Sequence, residues 1–284
     1  MHAAVAHDGT AVWMDGALVD PGAASISVFD HGFTVGDGVF ETLRTIGGRP
    51  FAVRRHLERL RSGAERLGLD VPLTDRALRE VVDDVVGAAG VPEARIRITV
   101  TGGAGAPGSG RSGGPPTLVV IAAPLAGWAA EATAVTVPWP RNERSALAGV
   151  KVTSFAENVH ALAEAHKVDA DEAILPNTRG NLCEGTGTNV FAAVEGALIT
   201  PSLMSGCLPG VTRALVLDVV PEADEEDVPI EVLERADEVL LTSTTRDVQP
   251  LRTLDGRALP GTRGPWAQRA AAALAALQAR DLDP

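Results

Sequence analysis

The chain has 284 residues, of which 45% are apolar, and it carries a formal net charge of −12 at pH 7. This length and apolar content allow a large buried core and suit two domains of ordinary size. The acidic balance and the dispersed arginines leave no basic face for a phosphate backbone, so we expect no nucleic-acid partner.

The first half of the chain alternates strand and helix patterns. Alternating β-branched residues predict strands, and apolar residues that recur on one helical face predict helices. The predicted elements are a β-like start at 11–19, a strand at 39–46, helices at 54–67 and 76–89, and paired strands at 95–100 and 117–122. This order predicts a small N-terminal α+β domain over residues 1–124.

A stretch rich in glycine, serine and proline joins the last two of these strands, over residues 102–116. Such a loop binds a dinucleotide only when it opens a helix whose N-terminus holds the pyrophosphate. Here Pro115 and Pro116 lead into another strand. We therefore predict a mobile hairpin loop.

The second half begins after a small-residue linker at 125–133 and forms a larger domain over 134–284. Short runs separated by tight turns predict a barrel-like sheet, with the Glu195-Gly196 dipeptide as a two-residue hairpin turn. The predicted elements are strands at 134–137, 172–175, 181–184, 190–194, 197–200 and 238–242, a helix after 208–213, and a closing helix at 266–279.

No targeting or metal-binding pattern is visible along the chain. The N-terminus lacks the apolar run of a secretory signal, and no stretch approaches about 18 uninterrupted apolar residues. Cys183 and Cys207 show neither a CxxC pattern nor histidines at ligand spacing. We expect a soluble, cytoplasmic protein with reduced structural thiols, no membrane partner and no metal.

Only two of the 25 lysine and arginine residues are lysines. Compositional drift explains such scarcity, but a retained lysine also indicates imine chemistry, which a permanently protonated guanidinium cannot perform. Lys167 falls at a predicted helix end, where a cation meets the exposed carbonyls. Lys151 precedes the capping box Ser154-x-x-Glu157 by three residues and is the candidate nucleophile.

Several motifs occur in order around Lys151. They are DHGFTVGDGVFETLR at 30–44, HLERL at 56–60, KVTSFAEN at 151–158, DEAIL at 171–175, GNLCEGTGTNVF at 180–191, LPGVTR at 208–213 and LTSTTRDVQP at 241–250. Together they resemble the signatures of the class IV (fold type IV) pyridoxal-phosphate enzymes. This family includes branched-chain and D-amino acid aminotransferases and 4-amino-4-deoxychorismate lyase.

The resemblance implies a two-domain fold type IV enzyme whose larger C-terminal domain carries Lys151. It implies a site between the domains, closed by a neighbouring subunit, and therefore a homodimer. Lys151 would hold pyridoxal 5'-phosphate as an internal aldimine and then shuttle a proton of the substrate. Glu184 would face the pyridine nitrogen and keep it protonated.

The same resemblance assigns the remaining cofactor contacts. A turn at Gly210 would present backbone N–H groups to the phosphate at a helix N-terminus, with a guanidinium and a threonine as further donors and a leucine against the ring. These residues are Val211 and Thr212 (N–H groups), Arg59, Thr244 and Leu208.

The reaction is less constrained than the cofactor. Phe40 stands where D-amino acid aminotransferases tend to have tyrosine, and Phe155 lies where branched-chain enzymes carry one. The GDGVFETLR run and the compact loop around Arg111 look most like the lyase branch, which converts 4-amino-4-deoxychorismate to 4-aminobenzoate and pyruvate. The alternatives are a class IV aminotransferase of branched-chain or other amino acids with 2-oxoglutarate and a non-catalytic cofactor binder. Arg111 and Arg44 are candidates for the substrate carboxylate, although surface positions explain both.

Overall fold

The computed structural model describes residues 8–111 and 113–284 and divides into two compact units. The first unit comprises the chain to Ala126 together with 150–154 and 281–284, and the second comprises 127–149 and 155–280. The segment that holds Lys151 therefore groups with the first unit, whereas the sequence assigned this lysine to the second. Among the described residues no helix is long and apolar enough to cross a membrane.

The first unit is an antiparallel sheet of six strands packed on two long helices, in the strand order β2-β1-β6-β5-β3-β4. Its elements are β1 (Ala11–Met14), β2 (Ala17–Val19), α1 (His31–Thr34), β3 (Gly38–Ile46), β4 (Arg49–Pro50), α2 (Val53–Leu67), α3 (Asp75–Ala89), β5 (Ala94–Thr101) and β6 (Thr117–Pro124).

Alternation along β3 and β5 decides which face of this sheet is buried. Val39 and Leu43 on β3 oppose Val100 and Ile96 on β5, and all four lie in the apolar core with residues of α2 and α3. Successive side chains on a strand point to opposite faces. Phe40 therefore projects from the face of the sheet opposite to this core.

The two long helices begin one residue earlier than predicted. Thr74 caps α3, and its hydroxyl accepts a hydrogen bond from the N–H of Ala77. Gly68 and Gly90 end α2 and α3 with φ of 62° each, a left-handed conformation that glycine adopts without steric cost.

The glycine-rich loop is anchored at several points. Arg111 forms a bidentate ion pair with Asp37 (Nε–Oδ2 2.7 Å, Nη2–Oδ1 2.6 Å) and donates a hydrogen bond to the carbonyl of Gly68. Ala104 forms an isolated bridge with Asp30. The prediction of a hairpin loop is confirmed by the pairing of β5 with β6, and these contacts tie the loop to the rest of the first unit.

The second unit is built on a mixed sheet of nine strands, in the order β12-β11-β10-β13-β14-β7-β8-β9, with β15 paired to β14. Its elements are β7 (Ala132–Thr136), α4 (Ala156–His166), β8 (Glu172–Pro176), β9 (Leu182–Gly185), β10 (Asn189–Val194), β11 (Ala197–Thr200), α5 (Val211–Val219), β12 (Ala223–Glu225), β13 (Glu238–Ser243), β14 (Asp247–Leu254), β15 (Arg257–Ala258) and α6 (Pro265–Arg280), with 3-10 turns at Leu203–Ser205 and Ile230–Arg235.

The predicted capping box before α4 is wrong. The N-cap residue is Phe155, and no side chain accepts a hydrogen bond there. Ser154 instead belongs to the segment in the first unit and lies against Gly36, where an added Cβ would come within 2.8 Å of the Ser154 Cβ. At the other end the prediction is confirmed, since Lys167 is the C-cap residue of α4 and pairs with Glu164.

Candidate active site

Lys151 lies on a short segment that continues the hydrogen bonding of β3. The N–H of Phe40 donates to the carbonyl of Lys151 (2.9 Å), and the N–H of Thr153 donates to the carbonyl of Gly38 (2.8 Å). The hydroxyl of Thr153 also donates to the carbonyl of Gly36 (2.9 Å). The backbone on both sides of the lysine is therefore fixed to the start of β3.

The Phe40 ring contacts two cationic side chains of the first unit. The Lys151 Nζ is 4.4 Å from the ring centroid, and the Arg97 Cζ is 3.5 Å from it. Burial, together with the nearby charge of Arg95, lowers the pKa of Arg97 to about 10, so this guanidinium remains charged at neutral pH. Phe40, predicted as a pocket residue, thus brings Lys151 and Arg97 together.

Sequence reasoning missed Arg97. The run RIRITV places arginines two residues apart on a predicted strand, which puts both on the face away from the core. This alternation is the feature of the sequence from which Arg97 could have been identified. The Arg97 Nε donates to the Thr99 hydroxyl (3.2 Å), so strand neighbours help to orient it.

Arg59 belongs to a buried charge cluster on the opposite face of β3. Its Nε and Nη2 donate to the two carboxylate oxygens of Glu41, each at 2.7 Å, and the His56 Nδ1 lies 2.7 Å from Glu41 Oε2. Burial alone would raise the pKa of Glu41, but Arg59 and His56 outweigh it and hold that pKa well below its usual range. Glu41 is therefore an anion that fixes the orientation of Arg59.

The two arginines proposed from sequence for a substrate carboxylate already have protein partners. Arg111 is engaged by Asp37 and Gly68 as described above. Arg44 donates to the Thr45 carbonyl (3.3 Å) and to Glu93 Oε2 (3.4 Å). The contacts of Phe40 make Arg97 a better candidate than either of them.

In the second unit Glu184 is held by contacts to both carboxylate oxygens. Oε2 accepts a hydrogen bond from the N–H of Leu208 (2.9 Å), and Oε1 lies 3.0 Å from the Arg141 Nε. The side chain of Glu184 is 12% exposed. A cation at this distance favours the ionised form of a carboxyl group.

The turn after Leu208 is shaped for a close approach of backbone to a ligand. The Asn189 side chain donates to the Leu208 carbonyl (2.9 Å). A Cβ on Gly210 would overlap Asn189 Oδ1, so only glycine fits there. Gly210 is the N-cap of α5 and offers no side chain to its first N–H groups, which belong to Val211 and Thr212. An uncapped N-terminus of this kind suits a phosphate group.

Thr244 lies in the turn between β13 and β14 and is half-buried. Two residues earlier, the buried hydroxyl of Thr242 has no hydrogen-bond partner. Thr242 pairs in register with Asn189, the residue that holds Leu208. This unpaired hydroxyl and the uncapped N–H groups after Gly210 are polar groups that the anionic end of a phosphorylated cofactor would satisfy.

The cysteines flank this part of the second unit. Cys183 precedes Glu184 and Cys207 precedes Leu208, and both are buried and free. Burial raises the pKa of the Cys183 thiol and raises that of Cys207 to about 11. Both thiols are therefore protonated at neutral pH, in agreement with a structural role.

The predicted site residues are distributed over both units. Phe40, Arg59, Arg111 and Lys151 belong to the first. Those of the second unit are Glu184, Leu208, Val211, Thr212 and Thr244. Among the described residues no cluster of three or more metal-ligating side chains occurs.

The family model for class IV amino-transferases matches residues 38–254. A "Putative branched-chain-amino-acid aminotransferase" of Methanocaldococcus jannaschii is 35% identical over 256 residues, covering 87% of this chain and 89% of that protein. A D-alanine aminotransferase of Staphylococcus epidermidis is 32% identical over 262 residues, covering 87% and 90%.

Solved structures share the fold over nearly the whole chain. The branched-chain amino acid aminotransferase of T.th. with pyridoxamine 5'-phosphate has a TM-score of 0.88 at 28% identity, covering 95% of both chains. A "Putative 4-amino-4-deoxychorismate lyase" of Legionella pneumophila has a TM-score of 0.85 at 24% identity, covering 89% of this chain and 96% of that one. At that identity the second likeness concerns the fold alone.

Proposed function

The chain belongs to the class IV aminotransferase family, whose fold and pyridoxal-phosphate cofactor it shares, and we propose that it transfers amino groups between an amino acid and a 2-oxo acid. The sequence favoured the lyase. The names of the relatives favour the aminotransferase alternative, because they are branched-chain and D-alanine aminotransferases.

One observation in the structure carries this proposal. Lys151 and the charged Arg97 approach the same aromatic ring, at 4.4 Å and 3.5 Å from its centroid. A transaminase needs an amine that moves a proton at the substrate carbon next to nitrogen, and a cation for the neighbouring carboxylate. Lys151 and Arg97 supply these two groups.

The other residues would bind and orient the cofactor. The N–H groups of Val211 and Thr212, with Thr244 and Arg59, would hold its phosphate, and Leu208 would pack on its ring. Glu184 would hold a proton on the ring nitrogen. When bound, the cofactor supplies an electron sink for the charge that proton loss leaves on the substrate. Lys151 would take that proton and return it at the cofactor carbon.

The test of this proposal measures two products from the same preparation. We expect purified protein with pyridoxal 5'-phosphate to form glutamate from 2-oxoglutarate and either a branched-chain L-amino acid or D-alanine. If pyruvate and 4-aminobenzoate instead appear from 4-amino-4-deoxychorismate without a 2-oxo acid, the protein is a lyase and the proposed aminotransferase activity is wrong. Cofactor binding without either product would indicate a non-catalytic binder.

Substituting the two lysines one at a time tests which of them binds the cofactor. Lys151→Ala should abolish the adduct that borohydride traps between protein and cofactor, because arginine side chains cannot form it. Lys167→Ala removes only a helix-end cation that is 66% exposed and should leave the adduct intact. Mass spectrometry of the reduced protein reads out both. An adduct that survives in Lys151→Ala would refute the assignment.

The expected homodimer is supported by an apolar patch in the first unit. Five large apolar side chains between positions 26 and 35 are 45–68% exposed: Ile26, Val28, Phe29, Phe33 and Val35. Large exposed apolar side chains so close together in the sequence indicate a protein interface. A second copy of the chain is the occupant that the family resemblance implies. The cytoplasmic location remains a prediction.

A further inference from the structure

Arg141 lies in the irregular segment between β7 and α4, and its backbone is tied to the strand hairpin that carries Glu184. The Arg141 N–H donates to the carbonyl of Pro176 (2.7 Å), and Arg141 forms an isolated parallel bridge with Asn177. The side chain is 16% exposed. The position of this arginine relative to β8 and β9 is thus set by the main chain.

Its guanidinium contacts three side chains. Besides the Nε contact to Glu184, Nη1 donates to the Asn158 Oδ1 (3.3 Å) and lies 3.5 Å from Glu157 Oε2. Glu157 is 84% exposed, so its charge is well solvated. Asn158 is buried, and its amide donates to the Thr186 carbonyl in the turn after β9. Asn158 therefore fixes the outer end of the guanidinium.

The Arg141 contact to Glu184 is one of charge. The Nε and Oε1 atoms are 3.0 Å apart, but the buried Nε has no hydrogen-bond partner, which means that its N–H is not aimed at that oxygen. The N–H of Leu208 donates a hydrogen bond to the other oxygen of Glu184. Glu184 is thus held between the charge of Arg141 at Oε1 and a hydrogen bond from Leu208 at Oε2.

We propose that Arg141 is a positioning residue that keeps Glu184 ionised and holds it toward the cofactor ring. The inference rests on the proposed function, because that function gives Glu184 the ring nitrogen as its partner. A carboxylate can keep a ring nitrogen protonated only while it is itself an anion. At metal sites, loss of a partner that orients a ligating residue commonly costs about 10–100-fold in affinity, and we expect an effect of similar size here.

The experiment uses full-length protein freed of cofactor and titrated with pyridoxal 5'-phosphate by fluorescence. Arg141→Gln should raise the dissociation constant about 10–100-fold, and Arg141→Lys should restore part of the loss because it keeps the charge. Arg179→Gln is the matched control, since Arg179 is 50% exposed and pairs with Glu143 at 3.4 Å in the same unit. It should bind the cofactor as the unmodified protein does.

A double-mutant cycle shows whether Arg141 acts through Glu184. In a Glu184→Gln background, Arg141→Gln should change the dissociation constant by less than about a further threefold, because the negative charge that Arg141 contacts is already absent. Binding of inorganic phosphate, which probes only the anion site, should be equal in all variants. Additive losses, or equal loss of phosphate binding, would overturn the proposal and indicate a general structural role.

A spectroscopic readout completes the test. The visible band of the bound cofactor should titrate at a different pH in Arg141→Gln from that in the unmodified protein, and Arg179→Gln should show no shift. If the protein binds the cofactor on Lys151 but Arg141→Gln changes neither affinity nor this titration, the role of Arg141 is wrong and the proposed function stands. If no variant binds cofactor on Lys151, the proposed function itself fails.

Discussion

At the scale of single residues, Glu41 is a fully buried carboxylate whose two oxygens are held by Arg59 and His56. Arg59 meets it with two hydrogen bonds and His56 with a third. A buried ion without partners is strongly unfavourable, whereas a network in which each member is satisfied is tolerated. The network therefore ties α2 to β3 and aligns Arg59 at the same time.

Glu41→Ala should lower the free energy of unfolding by about 3–5 kcal/mol, because it leaves the Arg59 guanidinium buried without its anion and His56 without its hydrogen-bond partner. Glu80→Ala is the control. Glu80 pairs with Arg76 on the surface of α3 at 3.0 Å, and loss of an exposed pair of this kind costs about 0–1 kcal/mol. Urea denaturation of both variants measures the difference. Equal effects would show that the buried network contributes no more than a surface pair.

The buried His56 makes the free energy of unfolding depend on pH. Burial lowers the pKa of His56 below its usual 6.5, although Glu41 opposes the shift. The unfolded chain therefore binds a proton below pH 6.5 that the folded chain resists. This contribution to stability is complete above that pH and is lost as the pH falls below it.

His56→Gln should flatten the stability profile just below pH 6.5, since glutamine can donate to Glu41 but does not titrate. Urea midpoints measured from pH 7.5 down to about 5 would show this as a smaller slope than that of the unmodified protein. A slope that stays the same would mean that other groups cause the pH dependence.

At the scale of elements, two helical glycines of the first unit have different surroundings. Gly87 lies within α3, and an added Cβ would meet nothing within 4 Å. Gly63 lies within α2, where a Cβ would come 3.3 Å from Val150 Cγ1 and 3.5 Å from Val39 Cγ1. At Gly63 the surface of α2 therefore packs closely against Val150, in the segment that leads into Lys151.

Gly87→Ala should raise the free energy of unfolding by about 0.5–1 kcal/mol, because alanine costs less backbone entropy in a helix interior. Gly63→Ala should gain less or lose stability, since the Val150 side chain must move. Thermal denaturation of the two variants compares them directly. A loss of stability in Gly87→Ala would contradict the open surroundings of that residue.

At the scale of the whole molecule, exposed apolar surface predicts association. Phe33 and Val28 are 67% and 68% exposed within the patch at positions 26–35. Phe33→Glu should convert a dimer to a monomer, since it introduces a charge where a partner would bury apolar area. Met204→Glu in the second unit, at a residue that is 72% exposed, should leave the mass unchanged. Light scattering after size exclusion distinguishes the two outcomes.

Predicted and observed elements agree closely for the long helices and most strands, but the strand β14 was not predicted. The strand predicted at 39–46 is Gly38–Ile46, and the helix predicted at 54–67 is Val53–Leu67. Periodicity reports which face of an element is buried, and that information is present in neighbouring residues. The capping box failed because Ser154 is held against Gly36, far away in sequence.

Local periodicity, motif order and residue type were sufficient to predict the long helices, most of the strands, the family and Lys151 as the candidate nucleophile. The folded structure was needed to show which side chain each arginine meets: Arg111 with Asp37, Arg97 with Phe40, and Arg141 with Glu184. It also decided that the Lys151 segment joins the first unit. An arginine can pair with any carboxylate that the folded backbone brings within reach, and a linear pattern of residues does not encode that distance.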